Sequence, residues 1–246
     1  MDVLYIMGVQ SGNELRYSLR SIAQYGSGVS RVFLCGAIPD WVNKRAVTCI
    51  PYRDRQAPIS LGIKSRNILR NALYALEHAN IGEDFLVSMD DHYLGGAVDF
   101  NHYPYYAKDK YGEGCELPRR PKIGQDYLNH LYDSRLFLEA HGLPTKCLCP
   151  HRNMRCSRRW IDGAWPLIEE VLAGAECEPW VLLGNWAIAH EGIEITPTSD
   201  CKIYSREDAG RTEGRTFFST SDFAVGSDLD LWMRERYPNP CKYEKK

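Results

Sequence analysis

The sequence predicts an α/β fold in which a mixed sheet is flanked by helices and is followed by a helical and loop-rich C-terminal half. Short apolar runs alternate with segments whose apolar residues recur at helical spacing, and this alternation is typical of parallel strands joined by crossover helices. The 246 residues contain no internal repeat and no low-complexity linker. We therefore expect one domain over residues 1–246, with a change of pattern between a first half, 1–96, and a second half, 97–246.

The first half alternates strongly between apolar runs and helical patterns. Its first helix begins at Asn13, a residue type favoured at helix N-termini, and carries Leu15, Leu19 and Ile22 on one face. The expected order is a strand at 3–9, this helix, strands at 31–36 and 47–51, a helix at 63–79 and a last strand that begins at Phe85.

The second half has a weaker pattern. Residues 99–123 are rich in Tyr, Pro, Gly and charge and show no period, so they predict a long loop, which in a compact domain is usually functional or disordered. Helices are expected at 125–141, 160–173 and 226–237, and strands at 179–190 and 193–203.

Two adjacent carboxylates, Asp90 and Asp91, follow the apolar run at Phe85–Val87 and precede His92. Like charges a few Å apart raise each other's pKa unless something positive lies between them, and a divalent cation is the commonest solution in proteins. Ligands of α/β sheets also bind at the carboxyl ends of the strands. Asp90 and Asp91 are therefore candidate metal ligands, and a solvated acidic turn is the alternative.

Further polar residues of the first half suit a metal–diphosphate complex, because metal ions and cations together neutralise the charge that develops on a leaving group. They lie in the turn after the first strand, on one face of the first helix and at the start of the second helix, where the helix dipole favours anions. A solvated helix face is the alternative for the helical ones. The candidate donor-binding set is Val9, Ser11, Arg16, Arg20, Lys64, Asn67 and Asp90.

Composition and missing motifs exclude several classes of protein. Charged residues make up 25% of the chain and the net charge is −2, which gives no general electrostatic attraction to nucleic acid or to membranes. No apolar stretch approaches the ~20 residues of a membrane span, and the start lacks the features of a signal peptide, so we expect a cytoplasmic protein. There is no GxGxxG after the first strand and no GxxxxGK[ST], which disfavours Rossmann dehydrogenases and P-loop NTPases.

The nine cysteines are odd in number and irregular in spacing, so a disulfide framework is not expected. One group is dense and comprises Cys147, Cys149, His151 and Cys156. Thiolates and imidazole suit zinc, but this spacing matches no standard zinc pattern, and free cysteines are often small buried hydrophobes. Both interpretations stay open.

Several segments together resemble a known family. Asn13–Ile22 reads NELRYSLRSI, Met89–Leu94 reads MDDHYL, and the C-terminal part contains Phe217–Asp222 and Tyr237–Glu244. The first segment looks like the NELRYSLRSI block of the Stealth proteins, which are sugar-phosphate transferases of capsule and glycan synthesis. The second is similar to their NDD-x-F-L block, the last two resemble their final block, and Asp2–Tyr5 lies where those proteins open with D-V-V-Y.

The resemblance implies a transferase core of the GT-A type, a Rossmann-like mixed sheet in which an acidic pair holds a divalent metal against a nucleotide-sugar diphosphate. By this resemblance Asp90 and Asp91 contact the donor and an Mn²⁺ or Mg²⁺ ion, and Arg16 lies near the donor. Residues 1–96 become a nucleotide-sugar-binding half and 97–246 an acceptor half.

The chain departs from the family pattern at two places. The family opening continues T-W-V-D, whereas this chain has Ile6-Met7-Gly8-Val9, and near Pro150 the family's histidine position is Leu148, with His151 after the proline. Transfer of a sugar phosphate depends on those positions. We therefore expect a glycosyltransferase that moves a sugar from a nucleotide-sugar to the hydroxyl of a glycan or other acceptor, with hexose-1-phosphate transfer as the alternative.

The second half supplies candidates for the acceptor side. Asp126 and His151 are candidate general bases, and Arg16 completes the candidate catalytic set. A histidine of the C-terminal half often completes the metal shell in GT-A enzymes, which makes His190 and His151 candidate ligands. The alternatives are a helix N-terminal charge for Asp126 and structural roles for the histidines.

A third class of function is a non-catalytic module that binds nucleic acid. The segment 151–159 contains a basic group, Arg152, Arg155, Arg158 and Arg159, which could grip phosphates, although such a face is most often only solvated. Nucleic acid is therefore an unexpected but not excluded partner.

Overall fold

The computed structural model describes most of the chain, and the description below covers residues 1–8, 12–52, 61–108, 126–148, 151–199 and 201–245. The strands are β1 (Asp2–Met7), β2 (Gly26–Ser27), β3 (Val32–Gly36), β4 (Thr48–Pro51), β5 (Asp84–Ser88), β6 (His92–Leu94), β7 (Val98–Asp99), β8 (Tyr105–Lys108), β9 (Met154–Ser157), β10 (Ile195–Thr198), β11 (Lys202–Ile203) and β12 (Phe217–Thr220).

The helices lie between these strands along the chain, and the last one follows β12. They are α1 (Glu14–Tyr25), α2 (Leu61–His78), α3 (Asp126–Ala140), α4 (Arg158–Gly163), α5 (Trp165–Ala173), α6 (Pro179–Glu191) and α7 (Asp228–Arg236). Two short 3₁₀ helices span Phe100–His102 and Arg206–Thr212.

A five-stranded sheet in the order β4-β3-β1-β5-β9 forms the centre of the fold. The first four of these strands are parallel, and β9 runs antiparallel to β5. Every residue of β1 is buried, and the apolar run Val3–Met7 is typical of a strand covered on both faces. The prediction of an α/β class with a mixed sheet and flanking helices is confirmed.

The two faces of the sheet bury different sets of residues. Leu4 and Ile6 of β1 pack with α2, α5 and α6, whereas Val3, Tyr5 and Met7 pack with α1 and with Phe217 of β12. This division follows from the period of two in a strand, which sends neighbouring side chains to opposite faces. One face of the central sheet is therefore covered by helices, and the other by α1 together with β12.

Three smaller sheets surround the central one. The most relevant has the order β11-β12-β6, in which β12 is antiparallel to β6 and parallel to β11. The others pair β8 with β10 and β2 with β7, both in parallel. The second half of the chain thus adds strands beside segments of the first half, and the boundary near residue 96 does not separate two packed units.

Three expectations for the second half need correction. Residues 179–190 form helix α6 and not a strand. Proline is favoured in the first turn of a helix, and Pro179 occupies that position. The helix is buried nearly all round, so its apolar residues show no helical period in the sequence. Residues 160–173 fall into α4 and α5, which meet at Ala164, before Pro166. The expected loop 99–123 contains a 3₁₀ helix and β8, and its part from 109 onward lies outside the described residues.

A buried polar cluster joins α2, α3 and the residues before α6. His130 Nε2 lies 2.9 Å from Ser65 Oγ and 3.2 Å from Glu178 Oε2, and its Nδ1 lies 3.3 Å from Glu176 Oε2. Burial opposes the charged imidazole, but the hydrogen bond and charge of Glu178, with Glu176, outweigh burial and raise the pKa of His130. The cluster therefore joins three segments through an imidazole that lies between two carboxylates.

Within the described residues, no helix is both long and apolar enough to cross a bilayer.

Candidate functional site

Asp90 and Asp91 form a turn between β5 and β6, at the edge of the sheet where the four parallel strands end. The turn is fixed by backbone contacts: the carbonyl of Asp91 accepts from the N–H of Thr220 at 3.3 Å, and that of Met89 accepts from the N–H of His92 at 3.3 Å. The N–H of Met89 in turn donates to His92 Nδ1 at 3.4 Å. The position expected for the carboxylates at a strand's carboxyl end is confirmed.

Helix α1 holds the strand that follows this turn. Ser18 Oγ donates to the carbonyl of His92 at 2.5 Å, and Ser21 Oγ accepts from the N–H of Leu94 at 3.0 Å. The hydroxyl of Tyr5 in β1 lies 2.8 Å from the same Ser18 Oγ. The two serines of the NELRYSLRSI segment therefore act on β6, and through β6 they position the acidic turn.

Two lysines and a histidine affect the ionisation of Asp91. Burial raises the pKa of Asp91, and the charges of Lys202, His151 and Lys64 act against that rise. These residues come from β11, from the segment before β9 and from the first turn of α2. His92 Nε2 also lies 3.7 Å from Asp91 Oδ1. A largely buried carboxylate thus faces positive charge from several separate segments.

The topology explains this convergence. Helix α2 connects β4 to β5, so its first turn lies at the carboxyl edge of the sheet and brings Lys64 there. Because β9 is antiparallel to β5 and pairs Met154 with Val87, the residues just before β9, including His151, lie at the same edge. Lys202 pairs with Ser219, and Ser219 pairs with His92, so these three side chains form a row on one face of the small sheet.

The other side of the turn is acidic. Glu14 is buried and accepts from the N–H of Phe223 at 3.1 Å. Burial raises the pKa of Glu14, the hydrogen bond from Phe223 opposes this, and the charges of Asp90 and Asp222 add to the rise. The turn therefore has two further carboxylates, Glu14 and Asp222, in its electrostatic surroundings.

The structure places Arg16 and Arg20 against the C-terminal tail and not beside Asp91. Arg20 is buried and donates from Nε and Nη2 to the two carboxylate oxygens of Glu244 at 2.7 and 2.9 Å. Arg16 Nε lies 3.6 Å from Glu244 Oε2, and its guanidinium lies over Trp41 at 4.7 Å from the ring centroid. The expectation that these arginines bind the donor needs correction, because Glu244 holds both.

The remaining donor candidates differ in placement. Lys64 is exposed on α2, whereas Asn67, one turn later, is buried and accepts from Arg70 Nη1 at 3.5 Å. Val9 and Ser11 lie outside the described residues. Of these four residues, Lys64 has a charge that lowers the pKa of Asp91 in the acidic turn.

The acceptor-side candidates separate into two groups. His151 is half-buried, and its ring lies 6.1 Å from that of Tyr127, which follows the exposed Asp126 at the start of α3. Asp126 and His151 therefore lie in the same region of the fold.

His190 lies elsewhere. Its ring stacks on Trp186 at 4.7 Å, and the next residue, Glu191, pairs with Arg159 at 2.8 Å. Arg159 follows Ser157, which pairs with Asp84 at the amino-terminal end of β5. His190 is thus at the opposite edge of the sheet from Asp90 and Asp91, and its expected role as a metal ligand needs correction.

No group of three or more His, Cys, Asp or Glu side chains able to hold a metal ion occurs in the described part of the chain. Of the dense cysteine group, Cys147 and Cys156 are buried, and burial raises the pKa of Cys156 to about 12. Cys149 lies outside the described residues. A zinc site has no support from the cysteines that are described.

The basic group at 152–159 does not form a cationic face. Arg152 is buried and lies over Phe217, 4.5 Å from the ring centroid. Arg158 donates to the carbonyls of Ile81 and Leu76, and Arg159 pairs with Glu191. These guanidinium groups are used within the fold, which removes the main support for nucleic-acid binding.

Sequence reasoning missed Lys202, Glu14 and Asp222. Lys202 stands in a polar stretch without periodicity, and only the pairing of β11 with β12 brings it to the turn. Glu14 belongs to the NELRYSLRSI segment, where the arginines drew attention instead. The sequence feature that could have identified Glu14 is that it is a carboxylate in the segment predicted to lie near the acidic strand end.

Comparison of the chain with protein-family models gave no match, and comparison with curated proteins gave none either. Any proposal for the function must therefore come from the site itself and from the resemblance of its segments.

Proposed function

We propose that the protein is a metal-dependent transferase that moves a sugar from a nucleotide-sugar donor to an acceptor hydroxyl, with its donor site at the acidic turn of a GT-A-like sheet. One observation carries the proposal: the topology brings Lys64, His151 and Lys202, from three separate segments, to the sheet edge at which Asp91 follows a central parallel strand. An anionic donor bridged to a carboxylate by a metal ion needs this alternation of charge.

The side chains at the turn suit Mn²⁺ or Mg²⁺. Asp90 and Asp91 offer carboxylate oxygens, the ligands that these hard cations prefer. Mg²⁺ is usually bound by one or two carboxylates together with substrate phosphates, so a third protein carboxylate is not needed. When bound, the cation would stabilise the negative charge of the leaving diphosphate.

The chain's own residues would then neutralise the diphosphate and deprotonate the acceptor hydroxyl. Lys64 and Lys202 neutralise the diphosphate, since both already act on the charge of Asp91. His151, in its neutral form, is the preferred general base for the acceptor hydroxyl, because it is half-buried at the same edge of the sheet as Asp91. Asp126 is the second choice, since it is exposed at the start of α3 beside the tyrosine that contacts His151.

The test is a thermal-shift panel of nucleotide-sugars with and without Mn²⁺, run on the wild type, on Asp91→Asn and on the control Asp40→Asn. Asp40 is exposed and remote in sequence from the turn. We expect a metal-dependent rise in Tm in the wild type and in the control and none in Asp91→Asn. An equal rise in Asp91→Asn, or in excess chelator, would overturn the proposal.

A second candidate reaction uses the same site. The segment Asn13–Ile22 resembles that of sugar-phosphate transferases, and its serines position β6 and the acidic turn. Product analysis separates the two reactions, because sugar transfer releases a nucleoside diphosphate and sugar-phosphate transfer releases a monophosphate.

A further inference from the structure

A small cavity lies between β8, the edge strand β9 and helix α6, apart from the acidic turn. Its volume is about 30 Å³, and its lining includes Tyr105, Asn153, Arg155, Trp160 and Trp180. A water site needs about 10–15 Å³, so the cavity holds a group somewhat larger than one water molecule but not a sugar ring. Tyr105 and Arg155 are only half-buried, which places the opening beside them.

Three lining side chains have a buried N–H group for which the described residues supply no hydrogen-bond acceptor. They are Asn153 Nδ2, Trp180 Nε1 and Arg155 Nε. Asn153 is 2% exposed and Trp180 is 5% exposed, so water at the surface does not solvate them. Buried polar groups in proteins are almost always paired, and an unpaired one calls for an unseen water, ion or ligand. Three such groups on residues that line one cavity therefore support a bound acceptor there.

The chemistry of the donors selects the class of ligand. All three groups donate, and Arg155 adds a positive charge that its long contact with Asp84 Oδ2, at 3.9 Å, neutralises weakly. A hydroxyl or an amide would bring a donor of its own into a cavity whose unpaired groups are donors. A carboxylate accepts on both oxygens and carries the complementary charge.

We propose that this cavity binds the carboxylate group of a small ligand or of a longer molecule whose remainder lies outside the opening. Trp180 and Asn153 donate to the carboxylate from within, and Arg155 donates at the opening. The guanidinium of Arg155 is held in place by Tyr105, whose ring centroid lies 4.8 Å away. This site is independent of the proposed transfer reaction and uses none of the residues assigned to it.

The test follows the indole N–H of Trp180 by NMR in protein labelled with ¹⁵N-tryptophan, with acetate as the probe. Six tryptophans give six indole signals, and the one lost in Trp180→Phe is assigned to Trp180. Acetate is titrated at pH 7 and constant ionic strength against sodium chloride, with acetamide as a neutral isostere. We expect a saturable downfield shift of the Trp180 signal with acetate and none with acetamide.

Matched variants test the role of the guanidinium. Arg155→Lys keeps the charge and removes the Nε donor, so acetate affinity should fall about tenfold, as expected for loss of a hydrogen bond to a charged group. Arg159→Lys, beyond the end of the same strand, should leave the affinity unchanged. If Arg155→Lys shifts signals throughout the spectrum, Asn153→Ala replaces it. No response to acetate, an equal response to acetamide, or unchanged affinity in the variant would overturn the proposal.

Discussion

Asp90 and Asp91 have different electrostatic surroundings, and this contrast is the clearest feature of the molecule at the scale of single residues. Lys64, His151 and Lys202 act against the rise in the pKa of Asp91, whereas the charge of Asp90 adds to the rise in the pKa of Glu14. The carboxylate pair could be predicted from the sequence because the residues are adjacent. The surrounding charges could not, because each comes from a segment whose own pattern says nothing about the turn.

Lys202 gives the sharpest test of this arrangement. Lys202→Met should weaken binding of a nucleotide-sugar by ten- to a hundredfold, since a hydrogen bond to a charged group is worth about 1.5–3 kcal/mol. Isothermal titration with Mn²⁺ present measures this directly. Lys44→Met is the control, because Lys44 is exposed at a distant turn. Equal affinities of the two variants would show that Lys202 does not contact the donor.

Gly36 illustrates a residue whose identity is fixed by its neighbours. It has φ +126° at the end of β3, and a Cβ atom there would overlap the carbonyl oxygen of Met7 in β1. Gly36→Ala should lower the free energy of unfolding by more than about 3 kcal/mol, since backbone strain and overpacking add. Gly142→Ala, at φ +65° with open space around it, should cost only about 1–2 kcal/mol. Urea denaturation of both variants compares them, and equal losses would contradict the prediction.

At the scale of elements, the strands of the central sheet were predictable and one helix was not. Leu4, Phe33 and Phe85 belong to short apolar runs bounded by polar or glycine residues, which is the pattern of a buried parallel strand. Helix α6 has a similar run, but the structure buries it nearly all round. Periodicity does not distinguish a buried helix from a buried strand. The length of the apolar run and the proline at its start, Pro179, were better indications of a helix.

The cluster around His130 connects three elements and should make stability depend on pH. Because the folded pKa of His130 is raised above 6.5, its contribution is complete below pH 6.5 and is lost as pH rises through the folded pKa. His130→Gln should therefore cost about 3 kcal/mol at pH 6, as for loss of one partner of a buried ion pair, and less at pH 9.

Urea denaturation of wild type and His130→Gln at both pH values measures this difference. His102→Gln is the control, since His102 pairs with Asp99 at the surface. The loss in free energy of unfolding caused by His102→Gln should be small compared with that caused by His130→Gln. A cost for His130→Gln that is the same at pH 6 and pH 9 would show that the imidazole is neutral in the folded protein.

At the scale of the whole molecule, the C-terminal part of the chain packs against helix α1, which lies near the N-terminus. Tyr17 donates to Asp230 Oδ1 at 2.8 Å, and Arg20 binds Glu244 through two hydrogen bonds. The sequence gives no sign of these contacts, because each pair is separated by more than two hundred residues and involves ordinary helix and tail positions. This is why the arginines of α1 were expected at the donor and were found at the tail.

The pair formed by Arg20 and Glu244 should contribute to stability in neutral but not in acidic solution. Burial opposes ionisation of Glu244, yet the hydrogen bonds from Arg20 and from the N–H of Cys241 lower its pKa below the usual 4.5. Its contribution is therefore present above pH 4.5 and is lost as pH falls through the folded pKa. Glu244→Gln should cost about 2–3 kcal/mol at pH 7 and progressively less below pH 4.5.

Thermal or urea unfolding of wild type and Glu244→Gln across this range provides the measurement. Glu235→Gln is a matched control, because Glu235 forms an exposed pair with Arg206. A loss in Glu244→Gln no greater than in Glu235→Gln at pH 7 would show that the buried pair adds nothing to stability.

The strand order also affects how quickly the protein reaches its folded state. Strand β5 pairs on one side with β1, from the start of the chain, and on the other with β9, beyond residue 150. Folds dominated by contacts between distant segments have high contact order and fold slowly, since loop-closure entropy is lost before the pairings compensate for it. Until β9 arrives, β5 is an apolar strand with one unpaired edge, the kind of surface that associates with other chains. Refolding at low protein concentration should therefore recover more native protein than refolding at high concentration.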